Sequence, residues 1–218
     1  MKIAGHKTTS DWLNLAKKLN PKDDDYWCEA FSFFSERIFS RYTAPIDAII
    51  KTDKNNGEGF AIVNLQCSLI ETIESFINGC ICEYDSKKRK NIWKRTDQIL
   101  FVNNRDIFIS FFKNRFPFKT FYIDGADYYH SVRCALLHET QTKNNWKIKK
   151  GINQGYAFEM KDGTKNIYRN NFQRDLQILI DSYKNAIVNG DTFDNISSLD
   201  LRESFIHKFN YICQASKH

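Results

Sequence analysis

Proline and glycine are scarce, with three Pro and nine Gly among 218 residues. So few breakers leave little room for the tight turns of an all-β sandwich and favour long helices. No run approaches the roughly 20 apolar residues of a membrane-spanning helix, so no membrane partner is expected. The opening residues, MKIAGHKTTSDW, lack the apolar core of a secretory signal, which points to the cytoplasm. The six cysteines form no CxxC pair, which argues against a zinc site and for free thiols in a reducing compartment. Cys67, Cys80 and Cys134 stand among apolar neighbours and read as buried thiols. Glycine patterns of the phosphate-loop or dinucleotide type are missing too, and no metal or other cofactor is implied. There is no internal repeat, low-complexity tract or linker, so one domain over residues 1–218 is expected.

What is present is apolar and aromatic. Hydrophobic residues make up 42% and the chain holds 18 Phe, enough to build a core and to exclude general disorder. Lys and Arg exceed Asp and Glu by 32 to 26. That balance permits nucleic-acid binding without requiring it.

Apolar spacing predicts a mainly α protein, a helical bundle with a small inserted β-hairpin. A short helix capped by Thr9 or Ser10 runs to about residue 19, where Asn20 and Pro21 end it. A second follows the acidic Asp23-Asp24-Asp25 cluster, runs to about residue 42, and is broken at Pro45. Residues 51–59 read as a loop. The third helix, about 60–83, carries Ile62, Leu65, Leu69, Ile73, Phe76 and Ile77 at steps of three and four. Lys87-Lys88-Arg89-Lys90 reads as a solvated loop or helix end. Further helices are expected over about 97–114, 124–139, 170–188 and 197–214. Short strands are expected at 146–152, 156–160 and 166–168, with Asp162-Gly163 as the hairpin turn between the last two. On this reading residues 1–55 extend a core bundle of 60–190, and a C-terminal helix falls within 197–218.

One segment carries chemistry: Tyr128-Tyr129-His130-Ser131-Val132-Arg133-Cys134-Ala135-Leu136-Leu137-His138-Glu139. It sets Arg133 and His138, four residues apart, at the end of an apolar helix, ahead of a polar turn and a strand. This resembles the HEPN superfamily of small helical domains, many of them ribonucleases. Their signature is an Arg, four to six residues, and a His near the end of a bundle helix. The helix with NLQCSLIETIESF looks like the one that packs beside the motif helix. The resemblance spans about 60–188. Many active members carry a polar residue directly after the Arg, where this chain has Cys134.

The chemistry suits those residue types. Cleavage of RNA by its own 2′-hydroxyl needs one proton removed and one delivered to the leaving 5′-oxygen. Histidine titrates near working pH. Arginine offers a permanent charge and a planar fork to phosphate oxygens. Five residues of regular helix, however, turn two side chains about 140° apart. The resemblance implies a way round this, because HEPN domains pair as homodimers with motif helices side by side, making a composite cleft. It implies a metal-independent endoribonuclease with Arg133 and His138 catalytic and RNA, tRNA included, as substrate. Products would be a 2′,3′-cyclic phosphate and a 5′-hydroxyl. Family membership further implies bacterial antiphage defence or a toxin–antitoxin role, with a protein inhibitor or trigger. His130, three residues before Arg133 on the same helical side, and Lys143 and Asn144 in the polar turn after the motif are candidate substrate-binding residues.

The same residues admit a structural reading. Arg133 can pair with a carboxylate such as Glu71 or Glu74, and His138 can cap free helix carbonyls. Cys134 also fits an alternative function, a non-catalytic HEPN-like module that binds a partner or nucleotide.

Overall fold

Thr8 accepts a hydrogen bond from the Asp11 N–H while the Asp11 carboxylate takes the Thr8 N–H at 2.7 Å. This reciprocal cap opens helix α1 (Thr9–Ala16), one residue earlier than the spacing predicts, after a small pair of strands, β1 (Lys2–Ala4) and β2 (Lys7–Thr8). The computed structural model describes residues 1–54, 57–87, 89–151 and 155–215. Helix dominates these residues, as the scarcity of breakers predicts. The expected loop at 51–59, the charge run, the first hairpin strand and the C-terminal helix each fall partly outside them.

Helix α2 (Trp27–Ile38) does not stop at Pro45. It passes through a π-helical turn (Phe39–Thr43), where Ala44 N–H reaches back to the Phe39 carbonyl, and continues as α3 (Ala44–Thr52). Proline lacks an N–H and crowds the turn before it. The wider π turn sits in that place, so the chain stays helical.

Helix α4 (Glu58–Ile77) is the long apolar helix expected but stops at Ile77 instead of about residue 83, and α5 (Asn104–Asn114) begins later than predicted. Between them lies a correction. The spacing missed an antiparallel sheet, β3 (Ile81–Asp85), β4 (Lys90–Arg95) and β5 (Gln98–Phe101). Of the charge run, Lys87 and Arg89 lie in the turn between β3 and β4, Lys90 opens β4, and no helix ends there. Then come α6 (Gly125–Tyr128), a second π turn (Tyr129–Cys134) and α7 (Ala135–Glu139). Asp124 caps α6, as expected, by accepting from the Ala126 and Asp127 N–H groups.

A second sheet holds β6 (Trp146–Lys149), β7 (Phe158–Lys161) and β8 (Thr164–Tyr168), in the order β6-β8-β7. The hairpin at Asp162-Gly163 is as expected; both residues have positive φ, 51° and 71°, as the tight primed turn requires. Strand β6 adds parallel to β8, which makes the hairpin a three-stranded sheet. Helix α8 (Arg169–Asn189) ends at Gly190, and α9 (Ser198–Ala215) closes the described chain.

The chain forms two compact units. One comprises Met1–Pro45, Thr72–Val102 and Asp181–His218, and the other Ile46–Glu71 and Asn103–Ile180. Each has an aromatic core. In the first, Trp12 stacks on Phe209 at 4.5 Å between ring centroids, and Phe34 meets Phe76 edge-on at 4.9 Å. Buried Arg202 donates to Asp24 and to the Asp23 and Ile187 carbonyls. The acidic cluster therefore holds α9, whereas the start of α2 has no side-chain cap and carries Glu29 in its first turn. In the second unit, Phe112 packs on Tyr128 at 4.8 Å and Phe158 on Phe172 at 5.0 Å.

Helix α4 is long and apolar enough to cross a membrane by length and composition, but most of it is buried inside the protein. Cys67 and Cys80 are buried thiols, as expected, and burial pushes both up to about 12. Cys134 is only half-buried, whereas Cys28 and Cys82 are exposed.

Candidate active site

Helix α6 reaches its place because residue 125 has no side chain. A Cβ on Gly125 would stand 2.4 Å from the Phe108 carbonyl oxygen and 2.6 Å from the Ile109 Cα, so only glycine lets this helix lie against α5. The motif then begins in the π turn Tyr129–Cys134 and ends in α7, which Thr140 terminates with a left-handed φ of 56°. Isolated π turns inside helices recur at functional sites.

Arg133 is held from behind. Its Nε donates to Glu71 Oε1 on α4 at 2.9 Å, and its guanidinium lies 5.8 Å from the centre of the Tyr129 ring. This is the ion pair that the structural reading allows, with Glu71 rather than Glu74 as partner. The side chains are 20% and 16% exposed, so the pair is largely sheltered from water. Burial works against both charges: it pushes the Glu71 carboxyl above its usual range, and Arg133 offsets only part of that. For Arg133 the neighbouring carboxylate outweighs burial and holds the proton more firmly still. Burial, with a hydrogen bond to Cys134, pushes Tyr129 up to about 12, so the ring facing Arg133 stays a neutral phenol. Among the described residues no acceptor bonds the two terminal nitrogens of Arg133.

His138 is exposed on α7 and makes no hydrogen bond among the described residues. No bond joins it to Arg133. Arg133 lies near the end of the π turn, and beyond Cys134 the path to His138 is α-helical, which leaves the two about 140° apart around the axis. His130 is exposed as well, its ring 5.3 Å from Tyr129. A π turn holds one residue more than an α turn and rotates the residues beyond it back by about 100°. On that count His130 and His138, eight residues apart, lie within about 20° of one another instead of about 80°.

No family model, curated protein or solved structure matches this chain. The site is therefore read from its own residues.

Lys143 and Asn144 are both engaged. The Lys143 ammonium pairs with Glu139, and its backbone N–H donates to the Ser131 carbonyl at 2.9 Å. The Asn144 amide donates to Ser131 Oγ at 2.8 Å and to Asp127 Oδ1 at 3.3 Å. Both residues thus tie the turn after α7 back to the motif helix.

Asp127 is the residue that the spacing argument missed. Its carboxylate also receives Ser131 Oγ at 2.8 Å, Trp146 Nε1 at 2.8 Å and Lys165 Nζ at 2.6 Å. Burial alone would raise it, but these donors outweigh burial and hold it at about 2. The sequence signal was local: Asp127 and Ser131 stand four apart on one helix face. Among the described residues no group of three His, Cys, Asp or Glu side chains is placed to hold a metal ion.

Proposed function

We propose that the chain is a metal-independent endoribonuclease of HEPN type that acts as a homodimer. The observation that carries the reading is the state of Arg133. Glu71 and Tyr129 fix its position, while among the described residues both terminal nitrogens lack acceptors, at the end of a helix that exposes two histidines. A guanidinium so held can offer its free edge to two phosphate oxygens and steady the charge that develops on phosphorus. His138 takes the proton from the 2′-hydroxyl or gives one to the leaving 5′-oxygen, and His130 lines the same exposed side. The 2′-oxygen bonds to phosphorus as the bond from phosphorus to the 5′-oxygen breaks, closing a 2′,3′-cyclic phosphate and releasing a 5′-hydroxyl. The proton the 2′-oxygen loses is matched by the one the 5′-oxygen gains, with no redox step.

The angle of about 140° between Arg133 and His138 favours a cleft shared between protomers, each giving Arg to one phosphate and His to the other side of it. As a member of that superfamily the protein would act in antiphage defence or as a toxin, restrained by an inhibitor or awaiting a trigger. RNA, tRNA included, is the substrate class. Lys143 and Asn144, bound to Glu139, Ser131 and Asp127, shape the turn that borders this cleft.

The test is cleavage of total RNA and purified tRNA in EDTA by wild type, Arg133→Ala and His138→Ala. Loss of cutting by about a hundredfold or more in each variant, with the dimer mass unchanged, is the expected result. Cutting that survives both substitutions, or a freshly folded dimer that cuts nothing, sinks the reading. The Arg133–Glu71 pair also suits a second reading, a non-catalytic module in which Arg133 holds the dimer or a ligand. There Arg133→Ala removes the dimer or the ligand instead.

A further inference from the structure

Two stretches hold the basic excess of the chain: residues 87–95, with Lys87, Lys88, Arg89, Lys90, Lys94 and Arg95 and no acid, and residues 143–169. Residues 143–169 hold seven cations, Lys143, Lys147, Lys149, Lys150, Lys161, Lys165 and Arg169, against Glu159 and Asp162. Seven minus two gives +5 in the second stretch. It is the stretch that forms the sheet β6-β8-β7. Four of the seven are paired inside the protein: Lys143 with Glu139, Lys165 with Asp127, and Lys150 and Arg169 with Asp53. Lys147, Lys149 and Lys161 have no carboxylate partner among the described residues, and all three are exposed.

Strand register puts these three on one face. Lys147 stands opposite Asn166, Lys149 opposite Tyr168 and Lys161 opposite Thr164, all at alternate positions of their strands. Trp146 and Ile167 occupy the intervening positions and are buried on the other side. The lysine face bounds an open concavity of about 440 Å³, with Thr164, Asn166 and Tyr168 in its floor. Two acids line it as well, Glu159 and Asp162; Glu159 is already occupied by the Tyr168 hydroxyl at 2.7 Å and the Asn166 amide at 3.4 Å. Among the described residues the side-chain amide oxygen of Asn166 has no hydrogen-bond partner.

We infer that this sheet face is a docking surface for single-stranded RNA, separate from the Arg133–His138 pair. Lysines without counter-charges attract a polyanion and gain by releasing its counterions. The strand spacing sets Lys147 and Lys149 about 6.6 Å apart along β6, with Lys161 two strands across and two residues offset, about 12 Å from Lys147. That footprint fits an extended single strand laid over Tyr168 and the amide of Asn166. The choice of RNA over another polyanion rests on the ribonuclease reading.

The experiment uses the full chain and a fluorescein-labelled single-stranded RNA with 2′-O-methyl sugars, which cannot be cut by 2′-hydroxyl attack. Anisotropy is read across a salt series. One variant reverses Lys147, Lys149 and Lys161 to Glu. Its control reverses Lys17, Lys18 and Lys22, which are exposed on or just after α1, and so changes net charge equally. The sheet variant should bind about tenfold or more weakly, and its slope of log affinity against log salt should flatten by about two. The control should stay within about threefold of wild type. Equal losses in the two variants, no binding by wild type, or stronger binding of an acidic peptide than of RNA each overturn the inference. Since the strand is uncleavable, these outcomes are independent of whether Arg133 and His138 cut RNA. Melting temperatures confirm that the substituted sheets remain folded.

Discussion

Four side-chain donors converge on Asp127, and that convergence has a pH signature. Its folded value of about 2 lies below the roughly 3.9 of an unfolded aspartate. A depressed carboxylate stabilises the fold fully above the unfolded value, and the contribution fades as pH falls from about 4 to about 2. Asp127→Asn should therefore destabilise the protein at neutral pH by about 1–3 kcal/mol. It should also flatten the loss of stability between those pH values. Urea midpoints measured across the acid range check this, and parallel acid curves for the two proteins would refute it. Neither Lys165 nor Trp146 is near Asp127 in sequence, which is why spacing alone did not single it out. Arg133 was easier to read, because its two candidate acids both lay on the one strongly periodic helix. Which of the two it meets depends on how α4 and the motif helix are rotated, and no sequence period specifies that.

At the level of elements, legibility followed burial. α4, α5 and α8 bury apolar stripes, and their spacing showed it. β3 did not, because only Ile81 among its five residues is buried and the rest are polar or exposed. A strand without an alternating buried face looks like a loop. The π turns were invisible for a different reason, since one extra residue shifts phase without changing composition. Pro45 is the instructive case, a residue that usually ends helices and here comes just after a π turn within one. Glycine substitutions separate two kinds of constraint. Gly125→Ala meets the backbone of Phe108 and Ile109 and should cost about 2–3 kcal/mol as α5 and α6 are forced apart. Gly163→Ala meets nothing within 4 Å but keeps a φ of +71°, so only conformational strain of about 1–2 kcal/mol is expected. Thermal melts of the two variants decide it, and an equal or reversed order would show that the contact at Gly125 relaxes freely.

Across the whole molecule, the aromatic fraction announced a large core but not its division in two. That division depends on which distant segments meet. Trp12 and Phe209 belong to opposite ends of the chain, yet stack in one unit. Charge behaved in the opposite way. The total of +6 was plain from composition and the two basic stretches from position, but the arrangement of the second needed the strand register that turns three lysines to one side.

Two of the buried thiols make the molecule its own reporter. Cys67 lies in the unit that contains the motif helix and Cys80 in the other. Both are shut off from solvent and held as thiols at neutral pH, so an alkylating reagent reaches them only when the surrounding core opens. Peptide mass mapping after timed alkylation then yields an opening rate for each core, while Cys28 and Cys82 mark the immediate reaction. α4 supplies Leu69 and Ile70 to one core and Ile73 and Phe76 to the other. Unravelling this helix dismantles both, so the two thiols should be labelled at rates within about threefold of each other. Rates that differ by orders of magnitude would mean that each half of the protein breathes on its own clock.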